Sequence, residues 1–284
     1  MKINFFGTTT LLFDDKKEQI LFDAHLTRPS LAKMLFGTLQ TDRALCDRIL
    51  EKHHIDTLKA IFISHTHHDH VLDMPYIAKK CGASVYGSAS ALNVARGGGV
   101  AEDRLHLFDI KDGRNCREFA VGDYKITVFR SIHSKPHWYN NDIGKEITAP
   151  LVQPAPRRAF KEGGSFDFLI ENKGKRYLIR PSFNYLPHEL DGVKTDVLFL
   201  GITGIANAKK DERELFFRET ADKVQPSLII PIHWDSFFLS LDSYTRCMPL
   251  FIENSWKAFY EISHYCEKNG VSCLIQPPLT SLEL

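Results

Sequence analysis

Six consecutive residues, His65-Thr66-His67-His68-Asp69-His70, constrain this chain more than any other feature of its sequence. They follow the apolar run LKAIFIS at 58–64, which predicts a buried strand that ends at the first histidine. Buried imidazole and carboxylate groups need polar partners, so packing alone does not explain three candidate imidazole ligands and a carboxylate on one loop. A bound metal ion is the partner that fits this cluster.

Two later histidines stand in comparable places. His133 follows the strand predicted in KITVFRS, and His233 follows the strand predicted in SLIIPI. Because side chains alternate in an extended segment, we expect the first two histidines of the cluster to bind one ion while Asp69 and His70 bind a neighbouring ion. Imidazole and carboxylate ligands suit zinc, manganese or iron, whereas calcium and magnesium call for more oxygen ligands. The pattern predicts one or two divalent transition-metal ions, with zinc favoured.

The pattern H-x-H-x-D-H after an apolar strand resembles the signature of the metallo-β-lactamase superfamily. The likeness extends to the two later histidines, in their order along the chain, and to Asp23 in the opening segment ILFDA. It implies an α+β fold, the four-layer αββα sandwich, and it places Asp23 behind the metal ligands. Strands followed by a helix, twice over, favour the same layers. The resemblance implies two ligand sets, one of His65, His67 and His133, the other of Asp69, His70 and His233.

One departure from the superfamily pattern concerns the second ion. The aspartate that usually bridges the two ions follows the strand written here as KRYLIRPSFN, where Ser182 or Phe183 stands instead. Without that carboxylate the repulsion between two cations is less compensated, so occupancy by one ion or by two stays open.

The resemblance implies a metal-dependent hydrolase. We expect a metal-activated water to attack a small ester, lactone, amide or phosphodiester, with an anionic substrate favoured. Asp69 is the candidate catalytic residue, because it can bind and orient that water as well as the metal. A histidine rather than a glutamate at position 67, and the lack of a flavin-binding extension, favour hydrolysis over the redox chemistry of the superfamily.

Substrate contacts are expected from two segments. Residues 134–165 contain prolines and glycines without clear periodicity, which predicts a long loop that acts as a lid. This loop offers His137 and the pair Arg157 and Arg158, and the altered motif is followed by Tyr185 and His188. Asp235 lies two residues after His233 and either closes the pocket or caps the turn.

Composition limits the other possibilities. Net charge is +1, from 36 basic and 35 acidic side chains, so neither a nucleic-acid partner nor a membrane surface is expected. No run approaches the ~20 apolar residues needed to span a bilayer, and the first residues lack a signal-peptide cleavage pattern. The six cysteines are scattered, which favours reduced thiols and a cytoplasmic protein. We expect one domain over 1–284 that acts on a small molecule; the oligomeric state stays open.

Two alternative functions remain at this point. The superfamily also includes phosphodiesterases and nucleases, against which the near-neutral charge argues. A metal-binding protein without turnover is the other alternative, because the altered segment at Ser182 is compatible with lost catalysis.

Overall fold

A computed structural model describes residues 1–110, 116–136 and 141–284. Two seven-stranded mixed sheets form its centre. The strands are β1 (Lys2–Phe5), β2 (Leu11–Asp14), β3 (Gln19–Phe22), β4 (Leu58–Phe62), β5 (Ser84–Gly87), β6 (Leu105–Leu107), β7 (Cys116–Val121), β8 (Tyr124–Ser131), β9 (Ser165–Asn172), β10 (Lys175–Arg180), β11 (Val197–Gly201), β12 (Leu228–Ile232), β13 (Ser272–Cys273) and β14 (Thr280–Glu283). The helices are α1 (Leu31–Phe36), α2 (Arg43–Lys52), α3 (His68–Val71), α4 (Met74–Cys81), α5 (Ala89–Gly97), α6 (Lys210–Glu219), α7 (Ala221–Val224) and α8 (Ser255–Asn269).

The first sheet has the order β14-β1-β2-β3-β4-β5-β6. Strands β1 to β3 form an antiparallel meander, because only short polar turns separate them. From β3 to β6 the pairing is parallel, and helices α1 to α5 make the crossovers that parallel strands require. Strand β14 closes the far edge against β1.

The second sheet has the order β13-β12-β11-β10-β9-β8-β7. It repeats the plan of the first sheet, with an antiparallel part from β7 to β10 and a parallel part from β10 to β13. Helices α6 and α7 connect β11 to β12, and helix α8 connects β12 to β13. The sequence predicts one helix over DERELFFRETADKV, but the structure divides it at Thr220, whose hydroxyl donates to the carbonyl of Phe216 (2.6 Å).

The core lies in layers set by the alternation of side chains along each strand. Phe13 and Phe22 point between the sheets and pack edge to face at 5.4 Å, and Phe13 also contacts Phe199 of the second sheet. Leu12 and Leu21, which precede these two phenylalanines in the chain, point to the opposite face of the sheet. They belong to a second buried cluster with helices α2, α4 and α5. Helix, sheet, sheet and helix therefore stack in four layers, which confirms the predicted αββα sandwich.

The described part of the predicted lid loop is tied to the body of the protein. Its residue Ile147 is buried and donates its N–H to the Ser90 hydroxyl at the start of α5 (2.9 Å). Further along, Ala155 forms an antiparallel bridge with Leu39. We call residues 141–164 the strap. That the strap opens as a lid remains a prediction.

Within the described ranges no helix is long and apolar enough to cross a membrane.

Candidate metal centre

The histidine cluster occupies the turn between β4 and α3. His65 and His67 lie in the extended segment after the strand, and His67 is the residue from which α3 begins. Asp69 and His70 belong to the first turn of that helix, where the N–H of His70 bonds to the His67 carbonyl (3.0 Å). This change from extended to helical backbone lets one short segment contribute to two neighbouring ligand sets.

The first set is formed by His65, His67 and His133, whose potential ligand atoms lie within 4.8 Å of one another. The ring centroid of His65 is 4.9 Å from that of His67 and 4.8 Å from that of His133. Burial, reinforced by the other rings, holds the pKa of His65 well below its ordinary value and lowers that of His133 to about 3. The rings of His65 and His133 are therefore neutral near pH 7, as metal ligation requires.

The second set is formed by Asp69, His70 and His233, again within 4.8 Å. Oδ2 of Asp69 is 3.6 Å from Nε2 of His70 and 3.5 Å from Nε2 of His233. Burial acts to raise the pKa of Asp69, but the adjacent His70 and His233 outweigh it and hold that pKa well below the usual range. The carboxylate is thus ionised and can serve as a ligand.

Asp23 supports the second set from behind. Its Oδ2 accepts hydrogen bonds from Nδ1 of His70 (2.8 Å), the Thr9 hydroxyl (2.6 Å) and the Ser64 hydroxyl (2.7 Å), and its Oδ1 accepts from the Ser64 N–H (2.8 Å). Because a carboxylate only accepts, Nδ1 of His70 carries the proton and Nε2 presents its lone pair to the second set.

Asp235 acts on the backbone around His233 and is itself fully buried. Its carboxylate pairs with Arg28 (2.6 Å) and accepts from the N–H of Thr8 (2.8 Å). The Thr8 carbonyl in turn accepts from the N–H of His233 (2.6 Å), which has a left-handed φ of 61°. Asp235 therefore fixes the backbone of Thr8, and the Thr8 carbonyl in turn holds the backbone of this ligand.

The chemistry of the donors fits a transition-metal ion. Nε2 of His65 is buried without a hydrogen-bond partner, although a buried ring nitrogen normally has one. This ring lies against those of His67, His70 and His133, and such a group of imidazoles suits a divalent cation. All six predicted ligands are brought together in these two sets.

The predicted substrate-contact residues, unlike the predicted ligands, do not form one group in the described structure. His137 lies outside the described residues. The ring of His188 is 81% exposed and pairs with Asp191 (2.8 Å), a surface contact rather than one with a ligand histidine. Tyr185 is partly buried against the core between the sheets.

The altered segment after β10 reaches the site through a residue that the sequence did not single out. The side-chain amide of Asn184 donates to the carbonyl of His133 (2.7 Å), and the N–H of Phe183 donates to the Ser134 hydroxyl (3.0 Å). Ser182 is buried, and Phe183 packs on Phe216 at 4.4 Å. This segment now positions the His133 loop, a role that no local motif indicates.

Comparison with known proteins agrees with this geometry. The sequence profile described as "Beta-lactamase superfamily domain" matches residues 18–234, about three quarters of the chain. The chain belongs to this superfamily. The resemblance found in the H-x-H-x-D-H pattern is thereby confirmed.

Similar proteins are distant in sequence. A UPF0173 metal-dependent hydrolase of Carboxydothermus hydrogenoformans is 26% identical over 238 residues, which cover 84% of this chain and 86% of that protein. One from Staphylococcus aureus is 22% identical over 237 residues, covering 84% and 87%. Among solved structures, Igni18, a metallo hydrolase of Ignicoccus hospitalis, has a TM-score of 0.59 at 15% identity, covering 100% of this chain and 98% of its own. This likeness supports the fold, and the names of the relatives agree with the predicted enzyme class.

Proposed function

We propose that this metal-dependent hydrolase cleaves a small ester, lactone, amide or phosphodiester, with zinc as the first choice of ion and manganese or iron as alternatives. The convergence of six candidate ligands in two neighbouring sets, with the buried Nε2 of His65 left without a hydrogen-bond partner, carries the proposal. Divalent ions held there would supply Lewis acidity and lower the pKa of a water toward neutrality. The residues around them determine how that water and the substrate are oriented.

Asp69 has the central role among these residues. Its low pKa keeps it ionised near pH 7, so one carboxylate oxygen can accept a hydrogen bond from the attacking water and orient it. Oδ1 faces the His68 ring at 3.7 Å, whereas Oδ2 faces His70 and His233. In this proposal Asp69 both binds the metal ion and orients the water that attacks the substrate.

Two features support a small, anionic substrate. The strap approaches the ligand loop closely, because the N–H of Thr66 bonds to the Glu162 carbonyl (2.8 Å), and this limits the room for a polymer. Arg157 lies near enough to His68 for its charge to help lower the pKa of that ring, after burial, to about 4. Its guanidinium would suit a carboxylate or phosphate group on a substrate that reached this side of the ligand loop.

The test uses the full chain, purified without chelator or histidine tag. Metal content is measured by elemental analysis, and hydrolysis is assayed on panels of small esters, lactones, amides and phosphodiesters. We expect activity that a chelator removes and added Zn²⁺ restores. Asp69→Asn should lower kcat about 10²- to 10⁴-fold, and the exposed Asp191→Asn is its control.

Three outcomes would contradict the proposal. Tightly held metal without hydrolysis on any panel would indicate a metal-binding protein without turnover. Activity confined to polymeric nucleic acid and strongly weakened by salt would indicate a nuclease. Activity that survives complete metal removal would exclude a metal-dependent reaction.

A further inference from the structure

Hydrogen bonding assigns the proton on most of the ligand rings. The Ser64 hydroxyl donates to Asp23, so its oxygen can only accept from Nδ1 of His65 (3.2 Å). Nδ1 of His133 donates to the carbonyl of Ser134 (2.9 Å). Together with the bond from His70 to Asp23, these contacts leave Nε2 of three ligand rings free for metal.

His233 follows the same rule. The hydroxyl of Thr203 donates to the carbonyl of His233, so its oxygen accepts from Nδ1 of that ring (3.1 Å). Nε2 of His233 therefore also presents its lone pair to the site.

His67 is arranged in the opposite way. Its Nε2 lies 3.0 Å from Oδ1 of Asp142, a carboxylate of the strap, and both side chains are largely buried, with 11% and 18% of their surface exposed. The ionised carboxylate accepts the proton of Nε2, so the lone pair of this ring is on Nδ1. Of the five ligand histidines, this is the one whose proton is held by the strap.

We propose that Asp142 is a positioning residue for the metal centre: it holds His67 in the tautomer that presents Nδ1 to the first ligand set, and so couples strap docking to metal binding. The proposal rests on the proposed function only in requiring a metal ion at that set. It goes beyond the six ligands, because it assigns a role to a loop residue that is not itself a ligand.

The strap is built to carry this contact. The N–H of Thr66, next to His67, bonds to the carbonyl of Glu162, and the buried Glu162 carboxylate accepts from the N–H of Gly144 (3.0 Å) and of Gly164 (3.0 Å). Gly163 lies so close to the ligand loop that an added Cβ would meet the Thr66 hydroxyl at 2.5 Å.

The coupling must act in both directions. If the docked strap favours the metal-binding tautomer of His67, bound metal must favour the docked strap by the same free energy. The amides of Lys145, which bonds to the Asp142 carbonyl (2.9 Å), and of Gly163, which bonds to the Lys145 carbonyl (2.9 Å), report on docking. Bound metal should therefore slow their hydrogen exchange.

The experiment compares Asp142→Ala, Asp142→Asn and the control Glu146→Ala, an exposed carboxylate on the same loop. Zn²⁺ affinity of each full-length, metal-free protein is measured by competition with a chromophoric chelator. We expect Asp142→Ala to bind Zn²⁺ about 10- to 100-fold more weakly. Asp142→Asn should fall between it and wild type, since an amide oxygen still accepts from Nε2 without the charge. Glu146→Ala should match wild type.

Strap exchange gives the second readout. Zn²⁺ should slow exchange at Lys145 and Gly163 in wild type and much less in Asp142→Ala. Unchanged affinity in Asp142→Ala would overturn the proposal, as would equal weakening in the Asn and Ala variants, which would make Asp142 a direct ligand. Asp142-dependent Zn²⁺ binding in a protein that hydrolyses nothing would refute the proposed function and leave this inference standing.

Discussion

Replacing Asp23 by asparagine tests how the supporting carboxylate sets the metal affinity. Asp23 is buried and accepts four hydrogen bonds, from Thr9, from His70 and two from Ser64. Asparagine has one accepting oxygen, so in either orientation its NH₂ group faces at least one of these donors. Where it faces His70, that ring must move its proton to Nε2, the nitrogen that would bind metal.

The magnitude follows from these contacts. Loss of a carboxylate behind a ligand histidine weakens metal binding by about 10- to 100-fold, or about 1.4 to 2.7 kcal/mol. One unsatisfied buried donor lowers the free energy of unfolding by about 1 to 3 kcal/mol, which for a chain of this length lowers Tm by roughly 2 to 5 °C. Affinity and stability should therefore both fall.

Chelator competition measures the Kd for Zn²⁺, and thermal unfolding with and without Zn²⁺ measures Tm. Asp73→Asn is the matched control, because Asp73 is equally buried but accepts from the backbone N–H groups of Leu26 and Thr27 instead of from a histidine. It should leave the Kd near the wild-type value. If Asp23→Asn lowers Tm but binds Zn²⁺ as tightly as wild type, the carboxylate has no part in orienting His70 and the reasoning fails.

Three further predictions concern the site, the turn beside it and the pH dependence. His65→Ala should lower the metal content by one ion per chain, whereas His54→Ala should not; equal metal content in both, by elemental analysis, would remove His65 from the ligands. Gly7→Ala should lower Tm more than Gly174→Ala. Both glycines have a left-handed φ, but an added Cβ at Gly7 would meet Arg28 at 1.8 Å, whereas one at Gly174 would meet nothing within 4 Å. Similar losses of Tm in the two variants would contradict this prediction. Burial holds the pKa of His25 well below its ordinary 6.5, so the unfolded chain binds a proton that the native chain rejects. The unfolding free energy of the metal-free protein should therefore be greatest above about pH 6.5 and decrease as the pH falls below it. This decrease should be less steep in His25→Gln. Urea denaturation at about pH 7.5 and about pH 5.5 tests both expectations.

Local patterns predict much of the scaffold. The apolar run before His65 forms β4, and the hairpin that turns at Gly122 carries His133 at the end of β8. The amphipathic segment after Gly201 is helical as expected, but its break at Thr220 depends on one side-chain hydrogen bond that competes with the helix. Patterns of polarity locate elements well and locate such breaks poorly.

The sequence by itself determined the ligand types, because four histidines and an aspartate within six residues allow few other uses of those side chains. It also determined the layered fold, since the order of apolar runs decides which faces are buried. Only the tertiary structure decided which ring nitrogen each histidine offers. The partners that set the proton, Thr203 and Asp142 among them, lie 30 and 75 residues from the rings they contact. Hydrogen bonds between such distant positions leave no local pattern, so neither partner could be named before the chain was folded.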